Sequence, residues 1–173
     1  MAMPLPRSRS ELDAALAAAM EAEATRTFAL ARRLVGDDAD AADVLQEAWL
    51  RAWRSREAWR GDGPAGAWLR AIVVRESLRA LRWRGVRRWL PFGDRVPDAA
   101  APEASPDLGL DAARVRALVA RLPDQQRVVF LLRYDEGWTV PEIALALELS
   151  PETVKTHLAR ALDRARSAFG AEP

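Results

Sequence analysis

The chain has 173 residues, half of them hydrophobic, and a formal net charge of only +1; that suffices for one medium domain or two small ones and argues against wholesale disorder. With no cysteine and a single histidine, disulfide scaffolds, thiol nucleophiles, thiolate zinc and His-rich metal sites are excluded. Apolar stretches are too short for membrane insertion, and MAMPLPRSRSELDAAL lacks the uninterrupted apolar run of a signal peptide; the expectation is a soluble, cytoplasmic protein needing no cofactor.

The low net charge conceals segregation. Asp37 to Glu47 carries five acids and no base; Arg70 to Leu90 has seven arginines against one glutamate; Pro91 to Ala113 has five acids against one arginine. Charge sorted this way suggests separate surfaces for separate partners.

Along the chain, Leu12, Leu16 and Met20, then Phe28, Ala31 and Val35, recur at helical spacing and stop at Gly36-Asp37-Asp38. The next helix, Asp38 to Trp53, shows a double apolar stripe, Val44, Ala48 and Ala52 beside Leu45, Trp49 and Trp53, expected to face the core. Asp43, Gln46, Glu47, Leu50 and Arg54 are then outward, a mixed polar face with an exposed leucine that suits a protein partner. Asp37, Asp38 and Asp40 complement the helix dipole rather than form a calcium loop, which would need a glycine and a distal glutamate.

REAWRGDGPAGAW reads as a loop ending at a helix that starts near Ala65 and runs through Trp68, Ile72, Leu78 and Leu81. On that helix Arg75, Arg79 and Arg82 share one stripe, with Leu69, Val73 and Ala80 roughly opposite. These elements make a bundle of three or four helices, residues 10–90. Residues 91–110, rich in Pro, Ala and Asp, form an acidic linker. In residues 111–169, Val115, Leu118, Val119 and Leu122 lead to a stop at Pro123. A helix through Val128, Val129, Leu131 and Leu132 ends at Asp135-Glu136-Gly137. Thr139, with Glu142 as capping-box partner, opens a short helix to Leu147. After a tight turn at Glu148-Leu149, Ser150-Pro151 starts a last helix with apolar Val154, Leu158, Ala161, Leu162 and Ala165.

The fold class is therefore all-α: two small helical domains joined by an acidic linker. Ile143, Ala144, Leu147, Val154 and Leu158 have the spacing of a helix-turn-helix, whose second helix enters the major groove of DNA. Its outer face holds Thr153, Lys155, Thr156, His157 and Arg160, including the chain's only lysine and histidine. The competing reading is a helical hairpin with a solvated polar exterior.

DADAADVLQEAWLRAW, Asp38 to Trp53, closely resembles the polymerase-binding helix of bacterial sigma factors. WRGDGPAGAWLRAI, Trp59 to Ile72, is similar to the loop and helix start that follow it in the extracytoplasmic-function (ECF) subgroup of the sigma-70 family. LPDQQRVVFLLRYDEGWTVPEIALAL, Leu122 to Leu147, resembles the second half of those proteins. The ordered matches imply a non-enzymatic transcription initiation factor whose partners are core RNA polymerase, promoter DNA and an anti-sigma factor. They imply polymerase binding through Asp43, Gln46, Glu47, Leu50 and Arg54, and −35 recognition through Thr153, Lys155, Thr156, His157 and Arg160. Contacts to the −10 element fall to Trp59, Arg60, Trp68, Arg75, Arg79 and Arg82. Arginines neutralise phosphate, while Trp59 and Trp68 stack on an unpaired base or pack in the core, the core being expected for Trp68. Trp83 and Trp89 touch DNA or polymerase, or pack against the linker. Two departures stand out: Arg75 and Arg79 replace the family's usual Asn and Asp, and Glu148 replaces a usual glycine, making a less typical turn. The alternative is an autonomous helix-turn-helix regulator; a hydrolase would need a G-x-S-x-G that the chain lacks.

Overall fold

The computed structural model describes residues 8–59, 65–87, 115 and 117–170, and every regular element among them is helical. The chain forms two compact units, Met1–Ala80 and Leu81–Pro173, with the boundary inside the third helix.

In the first unit α1 (Arg9–Val35) starts at a capping box, Ser8 Oγ accepting from Glu11 N at 3.2 Å and Glu11 reaching back to Ser8 N at 3.0 Å, and ends at left-handed Gly36. The next helix, α2 (Asp38–Arg54), is capped by Asp37, whose side chain accepts from Asp40 N at 2.8 Å. A cap of this kind stabilises a helix by about 1 kcal/mol. After a single 3-10 turn, Arg56–Ala58, comes α3 (Ala65–Arg87). Leu16, Leu30, Ala31 and Leu34 of α1 are buried with Ala41, Val44, Ala48 and Ala52 of α2. On α3, Leu69, Ile72, Val73, Val74, Leu78 and Leu81 are buried, together with Glu76 and Ser77. Gly66 leaves room for the ion pair between α3 and α1: Arg70 holds Glu23 at 2.8 Å, and a Cβ at Gly66 would lie 2.2 Å from Glu23 Oε1, so that carboxylate would have to move.

The structure uses only half of the apolar double stripe expected on α2. Val44, Ala48 and Ala52 are buried, but Leu45 and Trp49 are half-covered and Trp53 is 42% exposed. The small residues let α1 approach closely, and the bulky stripe then falls at the edge of the contact.

In the second unit a helical stretch over 117–120 leads to α4 (Asp124–Tyr134), α5 (Val140–Leu147) and α6 (Pro151–Gly170). Val128, Val129, Leu132, Ile143, Ala144, Val154, Leu158 and Ala161 form the core. Buried Gln126 accepts from Arg164 at 2.7 Å, tying α4 to α6. Thr139 and Glu142 form the expected capping box. In the turn between α5 and α6, Glu148 adopts the left-handed conformation usual for glycine, φ 56° and ψ 41°, and Leu149 N donates to Ala144 O at 2.9 Å. At this φ the glutamate, unlike glycine, bears backbone strain.

Candidate protein- and nucleic-acid-binding surfaces

The bulky residues left uncovered on α2 build an open apolar groove of about 500 Å³ with α1. Met20 and Phe28 supply the α1 wall; Ala42, Leu45, Gln46, Trp49, Leu50 and Trp53 supply the α2 side. Leu50 is 41% exposed, and Trp49 Nε1 is buried with no hydrogen-bond partner among the described residues. Of the five residues expected to face outward, all are exposed, but only Gln46 and Leu50 line the groove; Asp43, Glu47 and Arg54 do not. Arg56 sits 5.1 Å over the ring of Trp53, one of the lining residues, and donates to Asp13 of α1.

On α3, Trp68, Arg75, Arg79 and Arg82 follow one another at i, i+7, i+11 and i+14, a single stripe about 21 Å long. Trp68 is half-buried rather than core: its ring stacks on Trp59, centroids 6.4 Å apart and planes 25° apart. Arg75 is half-buried, while Arg79 and Arg82 are exposed. Arg79 is engaged at 3.1 Å with Glu76, a carboxylate only 5% exposed. Arg60 lies outside the described residues, as do Trp89 and the linker; Trp83 is 62% exposed.

The face of α6 is less uniform than its sequence suggests. Thr153 is half-buried and belongs to the cap, its N–H donating to Ser150 Oγ at 3.1 Å and the two hydroxyls 2.8 Å apart. Thr156 donates to Glu152 O at 2.9 Å within its own helix. Lys155 pairs with Glu152 at 2.7 Å, both exposed. Such a pair is worth less than about 1 kcal/mol and yields readily to phosphate. Arg160 is exposed. His157 is half-buried, its Nδ1 without a hydrogen bond, and desolvation, followed by the charge of Arg160, holds its pKa below the ordinary 6.5.

A sequence model of Sigma-70 region 2 matches residues 20–87, and one of Sigma-70, region 4 matches residues 112–164. The chain is 34% identical over 136 residues to the ECF RNA polymerase sigma factor SigL of Mycobacterium tuberculosis, covering 74% of this chain and 73% of that protein. It is 36% identical over 140 residues to the RNA polymerase sigma-E factor of Streptomyces coelicolor, covering 79% and 75%. The chain belongs to the ECF sigma factors of the sigma-70 family. Its fold is also that of the sigma factor RpoE of Bartonella quintana, solved in complex with the anti-sigma factor NepR, with a TM-score of 0.66 over 95% of this chain and 98% of that one, at 21% identity.

As an ECF sigma factor the protein binds core RNA polymerase and directs initiation at specific promoters; sigma factors act by binding rather than by catalysis. Among its described residues no helix is long and apolar enough to cross a membrane. Several residues that shape these surfaces escape a reading of the sequence alone. Met20 and Phe28 look like ordinary core positions of α1. Glu76 is the lone acid among seven arginines, and Glu152 precedes Lys155 by three residues; both spacings announce ion pairs, but only Glu76 is buried.

Proposed function

We propose that the sigma factor docks on core polymerase through the α1–α2 groove, with Gln46 and Leu50 in the contact and Asp43, Glu47 and Arg54 at its rim. The groove itself carries this reading: an open apolar surface with an unpaired indole N–H, on a helix whose core-facing residues are already accounted for. The −10 element is assigned to residues 10–90, through the Trp59–Trp68 stack, Arg60, Arg75, Arg79 and Arg82. The −35 element is assigned to residues 111–169, through Arg160 and Lys155 with Thr156 and His157 beside them and Thr153 in a capping role. Residues 91–110 link the two. Because NepR accompanies the Bartonella relative, an anti-sigma factor competing for these surfaces belongs to the same proposal, as does action in the cytoplasm, where the polymerase is.

Leu50→Asp, or Gln46→Ala with Glu47→Ala, should abolish association with core polymerase while leaving helical content unchanged, since these side chains are exposed. Co-purification with core is the measurement. Undiminished recovery of either variant with core would move the docking surface elsewhere.

A further inference from the structure

Glu76 is the point where α2 and α3 meet electrostatically. Its side chain is 5% exposed, yet two arginines address it. Arg51 of α2 brings Nε within 2.6 Å of Oε1, a charge contact rather than a directed bond, since Oε1 carries no hydrogen bond. Arg79 of α3 donates from its guanidinium to Oε2 at 3.1 Å. Both arginines are about half exposed, 48% and 51% of the side chain. One buried carboxylate therefore has two cations, and a buried acid requires only one to stay compensated.

We infer that Glu76 is a positioning residue that holds Arg79 in reserve, and that Arg51 governs its release to promoter phosphate. This rests on the assignment of Arg79 to the −10 surface. When Arg79 turns outward, Arg51 stays on Glu76 and prevents an uncompensated buried charge. Arg79 is the releasable arm because it reaches Oε2 along the surface of its own helix, at i+3, and its half-exposed guanidinium can turn to solvent without moving a second helix. Arg51 lies on α2, the helix that also supplies the groove for polymerase, so a shift of α2 on docking changes the hold on Arg79. Coupling of this kind needs two alternative partners for one group, and the Arg51–Glu76–Arg79 cluster provides them.

The test is promoter binding by reconstituted holoenzyme across a salt series, with core affinity and thermal unfolding followed in parallel. Glu76→Gln frees Arg79: promoter affinity rises several-fold at low salt and the salt slope steepens by about one unit. Arg51→Ala does the reverse, tightening Glu76 on Arg79, with lower affinity and a shallower slope. In the Arg51→Ala/Glu76→Gln double variant the loss of Arg51 no longer matters and the behaviour is that of Glu76→Gln. In an Arg79→Ala background both effects vanish. Glu76→Gln and Arg51→Ala moving affinity in the same direction, or keeping their effects without Arg79, would overturn the inference and leave Glu76 a structural ion-pair partner. If Glu76→Gln fails to fold, Arg51→Ala with and without Arg79 decides alone, because Arg51 is half exposed. Should Arg79→Ala by itself leave promoter binding unaltered, the −10 assignment of Arg79 falls, whatever the cluster does.

Discussion

Glu148 sits at φ 56° between α5 and α6, a region that costs a side-chain-bearing residue about 1–2 kcal/mol and glycine almost nothing. Glycine in turn loses about 0.5–1 kcal/mol through the freedom of the unfolded chain. Glu148→Gly should therefore stabilise the protein by up to about 1 kcal/mol, and Glu148→Val should destabilise it by at least about that much; urea midpoints measure both. A loss of stability in Glu148→Gly would mean that the glutamate side chain returns more than the strain removes. His157 offers a second test. Its pKa is lowered, so between pH 6.5 and its folded value the unfolded chain binds more protons than the folded one, and stability falls as pH falls through that window. Nearby phosphate favours the imidazolium and acts in the opposite sense on binding. Acidification from pH 7 to about 5.5 should thus lower the thermal midpoint of the free protein and strengthen −35 binding. His157→Gln should flatten both profiles; profiles that survive the substitution belong to other groups.

At the scale of the element, α6 divides its polar face between holding itself and reaching outward. Ser150, Thr153 and Thr156 are engaged within the helix, and Lys155 is leashed to Glu152. Arg160 is exposed and, under the proposed −35 assignment, is the arm that would read a base. Arg160→Ala should weaken −35 binding by about 1–3 kcal/mol with the loss concentrated on the base it contacts. Lys155→Ala should weaken all sequences alike and lower the salt slope by about one unit. Binding to a set of duplexes differing at single −35 positions, across a salt series, separates the two; equal occupancy for wild type and both variants would reduce the face to solvated surface. On α2 the sequence pattern marks both stripes as apolar and reveals nothing of which one is covered. Trp53, 42% exposed, and half-covered Trp49 show the outcome.

Across the whole molecule, two matched regions are joined by the acidic segment of residues 91–110, which lies outside the described residues. We propose that this acidic segment, by its charge, occupies a basic channel of the polymerase in competition with nascent RNA. Neutralising Asp98, Glu103 and Asp107 should weaken the linker's hold and shift products from abortive to full-length RNA in run-off transcription with core polymerase. An unchanged ratio would make the segment a tether.

What the sequence by itself determined is local. Helical periods, the capping box of Thr139 and Glu142, the stop at Gly36 and the helix-turn-helix spacing rest on residues within a turn or two of each other, and the backbone geometry of the helix supplies the rest. The ordered motifs placed the family for the same reason, each being one contiguous stretch of chain. Tertiary structure decided which apolar stripe of α2 became a groove, that Trp59 and Trp68 stack on each other, and that Glu76 faces Arg51 across 25 positions of sequence. Periodicity says which side chains share a face. Only the packing of a second helix, with its own bulk and its own closest approach, settles whether that face is buried, paired or left open.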